Sequence, residues 1–256
     1  MQTLAQTRFG TADAFAPTHW TVIAAACRSQ EDAEGSRRAL SQLCETYWPP
    51  LYGYARARGF TPHDAQDLTQ SFFVYLLENK IYKRTDPAKG KFRSFLLASF
   101  KNFLADANDR ERAQKRGGAF RFISLEEGKI DAIESLFQTH HSLGAAAQED
   151  RLFERTWAKT LVAAALEQLA SAYKREGKEN IFRELEPFLT AGAAPLPAYA
   201  DLALRLSIAE STLRSHVTRL RSRYREVLRS EVRRTVDTEA EVDAELRELL
   251  RILAGS

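Results

Sequence analysis

Cysteine is scarce in this chain, with two in 256 residues. Cys27 and Cys44 sit in apolar contexts without CxxC spacing, which excludes a disulfide scaffold and fits two reduced thiols in the cytoplasm. Long apolar runs are missing too. The longest are six residues, as at 22–27, and fall far short of the roughly 20 residues a membrane span needs. Residues 1–10 hold no basic stretch followed by an apolar one, so no secretory signal is read and no membrane partner is expected. Catalytic signatures are absent as well: no P-loop, no nucleotide-binding glycine fingerprint, no GxSxG and no HExxH. His19, His63, His140, His141 and His216 never fall at a metal-ligand spacing. Neighbours on a helix point about 100° apart, so the His140-His141 pair reads as linker surface. Neither an enzyme, nor a cofactor, nor a metal site is expected.

The chain does hold ample core material. It has 15 Phe, 8 Tyr and 3 Trp, and 44% of its residues are hydrophobic, too much apolar surface to leave wet. Its formal net charge of +3 hides a segregation. Residues 83–116 carry ten basic and four acidic side chains, and residues 205–234 carry nine and three, so each segment is +6. The remainder is −9, of which residues 235–256, with six acidic and two basic side chains, supply −4. Two separated cationic segments on an otherwise anionic chain suggest two contacts with a polyanion.

Nearly every patterned segment has helical period. A short helix is expected over residues 18–26. Leu40, Leu43, Cys44, Tyr47, Leu51, Tyr54 and Ala55 then recur at steps of three and four, with Pro49 and Pro50 expected to kink or restart the helix. Thr61-Pro62-His63-Asp64 is a helix start: Thr61 caps, Pro62 takes the first position and Asp64 faces the positive end of the dipole. The following helix places Ala65, Leu68, Phe72, Phe73 and Leu76 on one side and Asp64, Asp67 and Gln70 on the other. Phe92, Phe95, Leu96, Ser99, Phe100, Phe103 and Leu104 form one face of the next. Residues 119–150 read as a linker, with one short helix near 131–137 and the longest strand-like stretch at 121–125. Helices are expected over 151–173, 180–189, 198–206 and 209–229. An acidic amphipathic helix follows, carrying Val242, Leu246, Leu249, Leu250 and Leu253. The expected fold is all-α. It comprises an extension (1–35), a first domain (36–118), the linker (119–150), a second domain (151–230) and an acidic extension (231–256).

Residues 199–225 have the pattern of a helix-turn-helix. Leu202 and Ala203 lie on a short helix, Leu206 and Ile208 bracket the turn, and Leu213, Val217 and Leu220 face inward from a second helix. That helix would present Ser211, Thr212, Arg214, Ser215 and Thr218 to a major groove, where arginine bonds guanine edges and short hydroxyls reach phosphates and base edges. Arg219, Arg221, Arg223 and Arg225 would hold the backbone. In residues 83–116 the phenylalanines read as core, while Lys91, Arg93, Lys101, Arg110 and Arg112 are the candidates for nucleic acid.

In this order, the segments resemble a bacterial RNA polymerase sigma factor of the extracytoplasmic-function type. Residues 52–77, containing Asp64-Ala65-Gln66-Asp67-Leu68-Thr69-Gln70-Ser71-Phe72-Phe73, look like the polymerase-docking helix. Asp86-Pro87 through Gly90, then Phe92-Arg93-Ser94-Phe95-Leu96 and Asn102, look like the promoter-melting and minus-ten segment. Residues 199–225 look like the minus-thirty-five module. The resemblance implies two partners, core RNA polymerase and promoter DNA, and assigns roles. Asp64, Asp67 and Gln70 would face polymerase. Lys91, Arg93, Lys101, Asn102, Arg110 and Arg112 would lie along the minus-ten strand. Ser211, Thr212, Arg214, Ser215, His216, Thr218, Arg219 and Arg221 would serve the minus-thirty-five element. Three departures stand out: Gln66 replaces the usual glutamate, Ser207 the usual turn glycine and Ala209 the usual cap serine.

Sigma factors with Asp-Leu-Thr-Gln in the docking helix are associated with Ser/Thr kinases. Thr69 is therefore the expected regulatory phosphosite, where phosphate would add about −1.5 to −2 charge beside Asp67. The acidic extension is expected either to pack on the second domain or to cover a basic face. Two other functions remain open from the residues alone: a stand-alone helix-turn-helix regulator and a helical adaptor that binds no DNA.

Overall fold

The computed structural model describes residues 33–78, 91–111, 146–189, 196–236 and 238–255. Every regular element among them is helical, and the fold is all-α. The expected elements at 18–26, 121–125 and 131–137 lie outside the described residues, as do Cys27, His140 and His141.

Helix α1, Ala33–Ala57, buries Leu43, Tyr47, Leu51, Tyr54 and Ala55, the residues spaced at three and four. The prolines do not restart it. One helix runs through Pro49 and Pro50, both of them buried. An interior proline costs about 3 kcal/mol, because it has no amide to donate. Each large side chain fully buried returns about 1.5–3 kcal/mol, and Tyr47, Trp48, Leu51, Tyr52 and Tyr54 surround the interruption, all at most 4% exposed. Packing therefore outweighs propensity there.

Helix α2, Pro62–Glu78, starts at the expected cap. The Asp64 amide donates to Thr61 Oγ1 (3.2 Å), and that hydroxyl donates to Asp64 Oδ2 (2.6 Å). Helix α3, Phe92–Glu111, meets α2 through aromatic rings: Phe72 lies 5.0 Å from Phe100 and 5.6 Å from Phe103, and Tyr75 lies 5.3 Å from Phe103.

Helix α4, Ala146–Arg175, begins inside the stretch read as linker and takes part in two cores. Phe153, Trp157, Ala158, Leu161 and Ala165 pack with the buried faces of α1, α2 and α3. Leu169 and Tyr173, near its other end, join a second cluster. That cluster is completed by α5 (Glu179–Leu185), a 3-10 turn (Glu186–Phe188), α6 (Tyr199–Leu206) and the first half of α7 (Glu210–Thr235). Helix α7 runs beyond residue 229 because Leu228 and Val232 reach back into the first core.

Helix α8, Glu239–Ala254, opens with a capping box between Thr238 and Glu241. It buries Val242, Glu245, Leu249 and Ile252. Leu250, expected on the apolar side, is 59% exposed. It lies about 160° around the helix from Ile252, so both cannot face the core. The buried arc is the one that carries Ile252 and Glu245.

Candidate nucleic-acid interface

The outer side of α2 is acidic and open. Asp64 and Asp67 are exposed, Gln70 is half-buried, and Asp67 carries His63 one turn earlier at 3.4 Å. Thr69 is not on that side. It is 0% exposed, and its hydroxyl donates to the Ala65 carbonyl at 2.7 Å. The hydroxyl expected as a phosphosite is thus covered, and a kinase would meet it only where α2 loosens from its neighbours.

Lys91, Arg93 and Lys101, at the start and middle of α3, are each paired with carboxylates. Lys91 Nζ lies 2.6 Å from Glu245 Oε2 of α8. Arg93 is 4% exposed, with its Nε 2.8 Å from Glu154 Oε2 of α4 and its Nη1 against Glu245 Oε1. Its guanidinium also stacks on the Trp157 ring, 4.2 Å from the centroid. Burial depresses the Lys91 pKa, and burial above all raises that of Glu154 despite the attraction of Arg93. Lys101 Nζ lies 2.6 Å from Asp150 Oδ1. Asn102 is exposed. Arg110 falls in the last turn of α3, and Arg112 is outside the described residues. The minus-ten candidates that the structure describes are thus split. Arg93 is enclosed, Lys91 and Lys101 are paired with carboxylates from later in the chain, and Asn102 is open.

Helices α6 and α7 are joined by Ser207, Ile208 and Ala209. Ser207 has a left-handed backbone (φ 54°), the conformation usually given to glycine. It is held by amide bonds from Ser207 to the Leu204 carbonyl and from Ile208 to the Ala203 carbonyl, each 3.1 Å. Ala209 caps α7 without a side-chain bond, as expected from its missing hydroxyl. Leu202, Ala203, Leu213, Val217 and Leu220 are buried beneath the turn.

Outward, α7 presents Ser211, Thr212, Arg214, Ser215, Thr218 and Arg219, all exposed. Arg214 is positioned rather than loose. Its Nη2 donates to Glu210 Oε1 at 2.5 Å, and its guanidinium lies 4.6 Å from the Tyr199 ring centroid. His216 is half-buried, and desolvation followed by the nearby Arg219 charge lowers its pKa below the ordinary histidine value. Arg221 is exposed, and its Nη2 lies 3.5 Å from the Phe188 carbonyl oxygen. Arg223 turns back onto Glu176 (2.6 Å) and the Tyr173 ring, and so braces the fold instead of offering itself to a ligand.

Sequence reasoning missed Glu154 and Glu245. One signal for Glu245 was available. It lies three residues after Val242 and four before Leu249, in the apolar register of its helix, where a carboxylate needs a partner. The partner is 154 positions away at Lys91, which no local pattern reveals.

No helix among the described residues is long and apolar enough to cross a membrane. No curated protein and no solved structure matches the chain. Residues 43–114, which run from the buried half of α1 through α2 and α3, match the family model of sigma-70 region 2, and this similarity supports a sigma factor.

Proposed function

We propose that this chain is a transcription initiation factor of the extracytoplasmic-function sigma type, which binds core RNA polymerase, recognises a promoter and helps to open it. The observation that carries the reading is the match of residues 43–114 to sigma-70 region 2, with its acidic α2 face exposed. In this reading residues 36–118 dock polymerase through Asp64, Asp67 and Gln70 and engage the minus-ten strand through α3. Residues 151–230 read the minus-thirty-five element through the exposed start of α7. The tight turn at Ser207 and the hydroxyl-and-arginine surface after it support that second role. Control by phosphorylation at Thr69 would in this reading require α2 to loosen first, because the hydroxyl is buried.

The test is run-off transcription with purified core polymerase on candidate promoters. The expected result is specific starts that core enzyme alone does not make. A regulator would alter transcription only beside another sigma factor, and an adaptor would do neither; either outcome overturns the reading. Arg214→Ala is expected to weaken minus-thirty-five discrimination by about 1–3 kcal/mol, the value of a bidentate contact to a base.

A further inference from the structure

Helix α8 joins the two cationic segments, which lie far apart in the sequence. From the second segment, Arg229 contacts Asp243 and lies 2.7 Å from Glu239, and Arg233 lies 3.0 Å from Glu239. From the first, Lys91 and Arg93 both converge on Glu245. The carboxylates of one helix thus cover cations of both segments.

The contact at Glu245 differs from the others. Glu239 and Asp243 are exposed and exchange their bonds with water at little cost. Glu245 is 1% exposed and sits where packing alone would favour an apolar side chain. Its carboxylate lies between two cations, one of them stacked on Trp157 and backed by Glu154. A buried ion cluster of this kind adds little net stability, because desolvation offsets most of the attraction. Its chemistry is that of a phosphate site: two cations converging on an oxyanion, with one of them, Lys91, still half-open at the mouth.

We propose that α8 is an intramolecular latch, in which Glu245 occupies the place of a nucleic-acid phosphate between Lys91 and Arg93 and holds the free chain off single-stranded DNA. This rests on the reading that α3 contacts the minus-ten strand. The latch opens when α8 lifts, which uncovers Lys91 and the side of Arg93 turned away from Glu154 and releases Arg229 and Arg233 from the carboxylates of α8. Because α8 also buries Val242, Leu249 and Ile252, polymerase or nucleic acid must supply the free energy that lifts it, and each tenfold excess of the closed state lowers apparent affinity about tenfold.

The experiment measures binding of a fluorescent mixed-sequence single-stranded DNA to the full chain at low salt, for wild type, Glu245→Gln, and Glu245→Gln combined with Lys91→Ala and Arg93→Ala. Circular dichroism checks the fold. The expected result is about tenfold tighter binding by Glu245→Gln, lost in the triple variant. A folded Glu245→Gln variant that binds no tighter than wild type overturns the latch and leaves α8 a packing helix. Should Glu245→Gln fail to fold, hydrogen exchange on the wild type decides. Saturating oligonucleotide is expected to speed exchange of the amides of Glu239–Ala254, and unchanged protection overturns the proposal.

Run-off transcription on the same proteins separates this inference from the proposed function. Specific starts without a DNA-binding gain in Glu245→Gln sink the latch alone. A gain without specific starts sinks the sigma reading alone.

Discussion

Thr69 lies four residues after Ala65, three before Phe72 and seven before Leu76, so helical period alone places it among buried neighbours. The resemblance to kinase-linked sigma factors pointed outward, whereas the packing of α2 turns the Thr69 side chain inward. Thr69→Val removes one hydroxyl that donates to an already bonded carbonyl, and is expected to cost about 1 kcal/mol or less. Thr69→Asp buries a carboxylate without a counter-charge, and is expected to cost more than about 3 kcal/mol. Urea unfolding of both variants checks this; an aspartate variant as stable as wild type would show that the site is open. Glu176 offers a second check at single-residue scale. Hydrogen bonds from Arg223 first and Lys178 second hold its pKa down at about 2, below the ordinary 4.5. A carboxylate depressed in the folded state stabilises above its unfolded pKa, and that stability is lost as pH falls through its folded value. Wild type is therefore expected to melt above Glu176→Gln at neutral pH, with the difference fading between 4.5 and about 2. A difference in melting temperature that stays constant across that window would contradict the pairing.

The elements themselves were largely legible. The apolar steps in α1, the Thr61 cap of α2, the aromatic face of α3 and the pair α6–α7 all follow local rules that need no knowledge of the fold. What eluded local rules was set by tertiary contact. Helix α1 continues through Pro49 and Pro50 because its aromatics are buried on both sides of them, and α7 outlasts its expected end because Leu228 and Val232 find the first core. The turn is an instructive case. Its sequence lacks the expected glycine, yet the left-handed conformation is kept, now by Ser207. A non-glycine residue there costs about 1–2 kcal/mol, part of which glycine gives back as unfolded-chain entropy. Ser207→Gly is thus expected to stabilise the protein by about 0.5–1 kcal/mol and to leave the α7 surface unchanged. Thermal melts with a parallel DNA-binding measurement check it. A destabilised glycine variant would mean that the serine side chain, rather than the backbone, holds the turn.

At the scale of the whole molecule, the sequence divides into two patterned blocks, and the packing ties them together. The first core takes residues from α1, α2, α3, α4, α7 and α8, and the second shares α4 and α7 with it. The charge pattern in the sequence showed two positive segments. It could not show that Glu154 and Glu245 reach the same arginine, because such pairs are set by how α4 and α8 dock and not by spacing along the chain. Shared helices have a consequence for unfolding. Removing a central side chain should weaken both halves together, because α4 and α7 cannot loosen in one core and stay rigid in the other. Trp157 is fully buried in the first core and supports the Arg93 guanidinium. Trp157→Ala is expected to cost about 3–5 kcal/mol, the usual loss for a large aromatic cut back to alanine in a core. Hydrogen exchange then reads how that loss is distributed. Protection should fall in α6 and the first half of α7, far from the substitution, by nearly as much as in α1 and α4. If α6 and the start of α7 keep wild-type protection while α1 and α4 lose theirs, the halves unfold independently, and each could open on polymerase without disturbing the other.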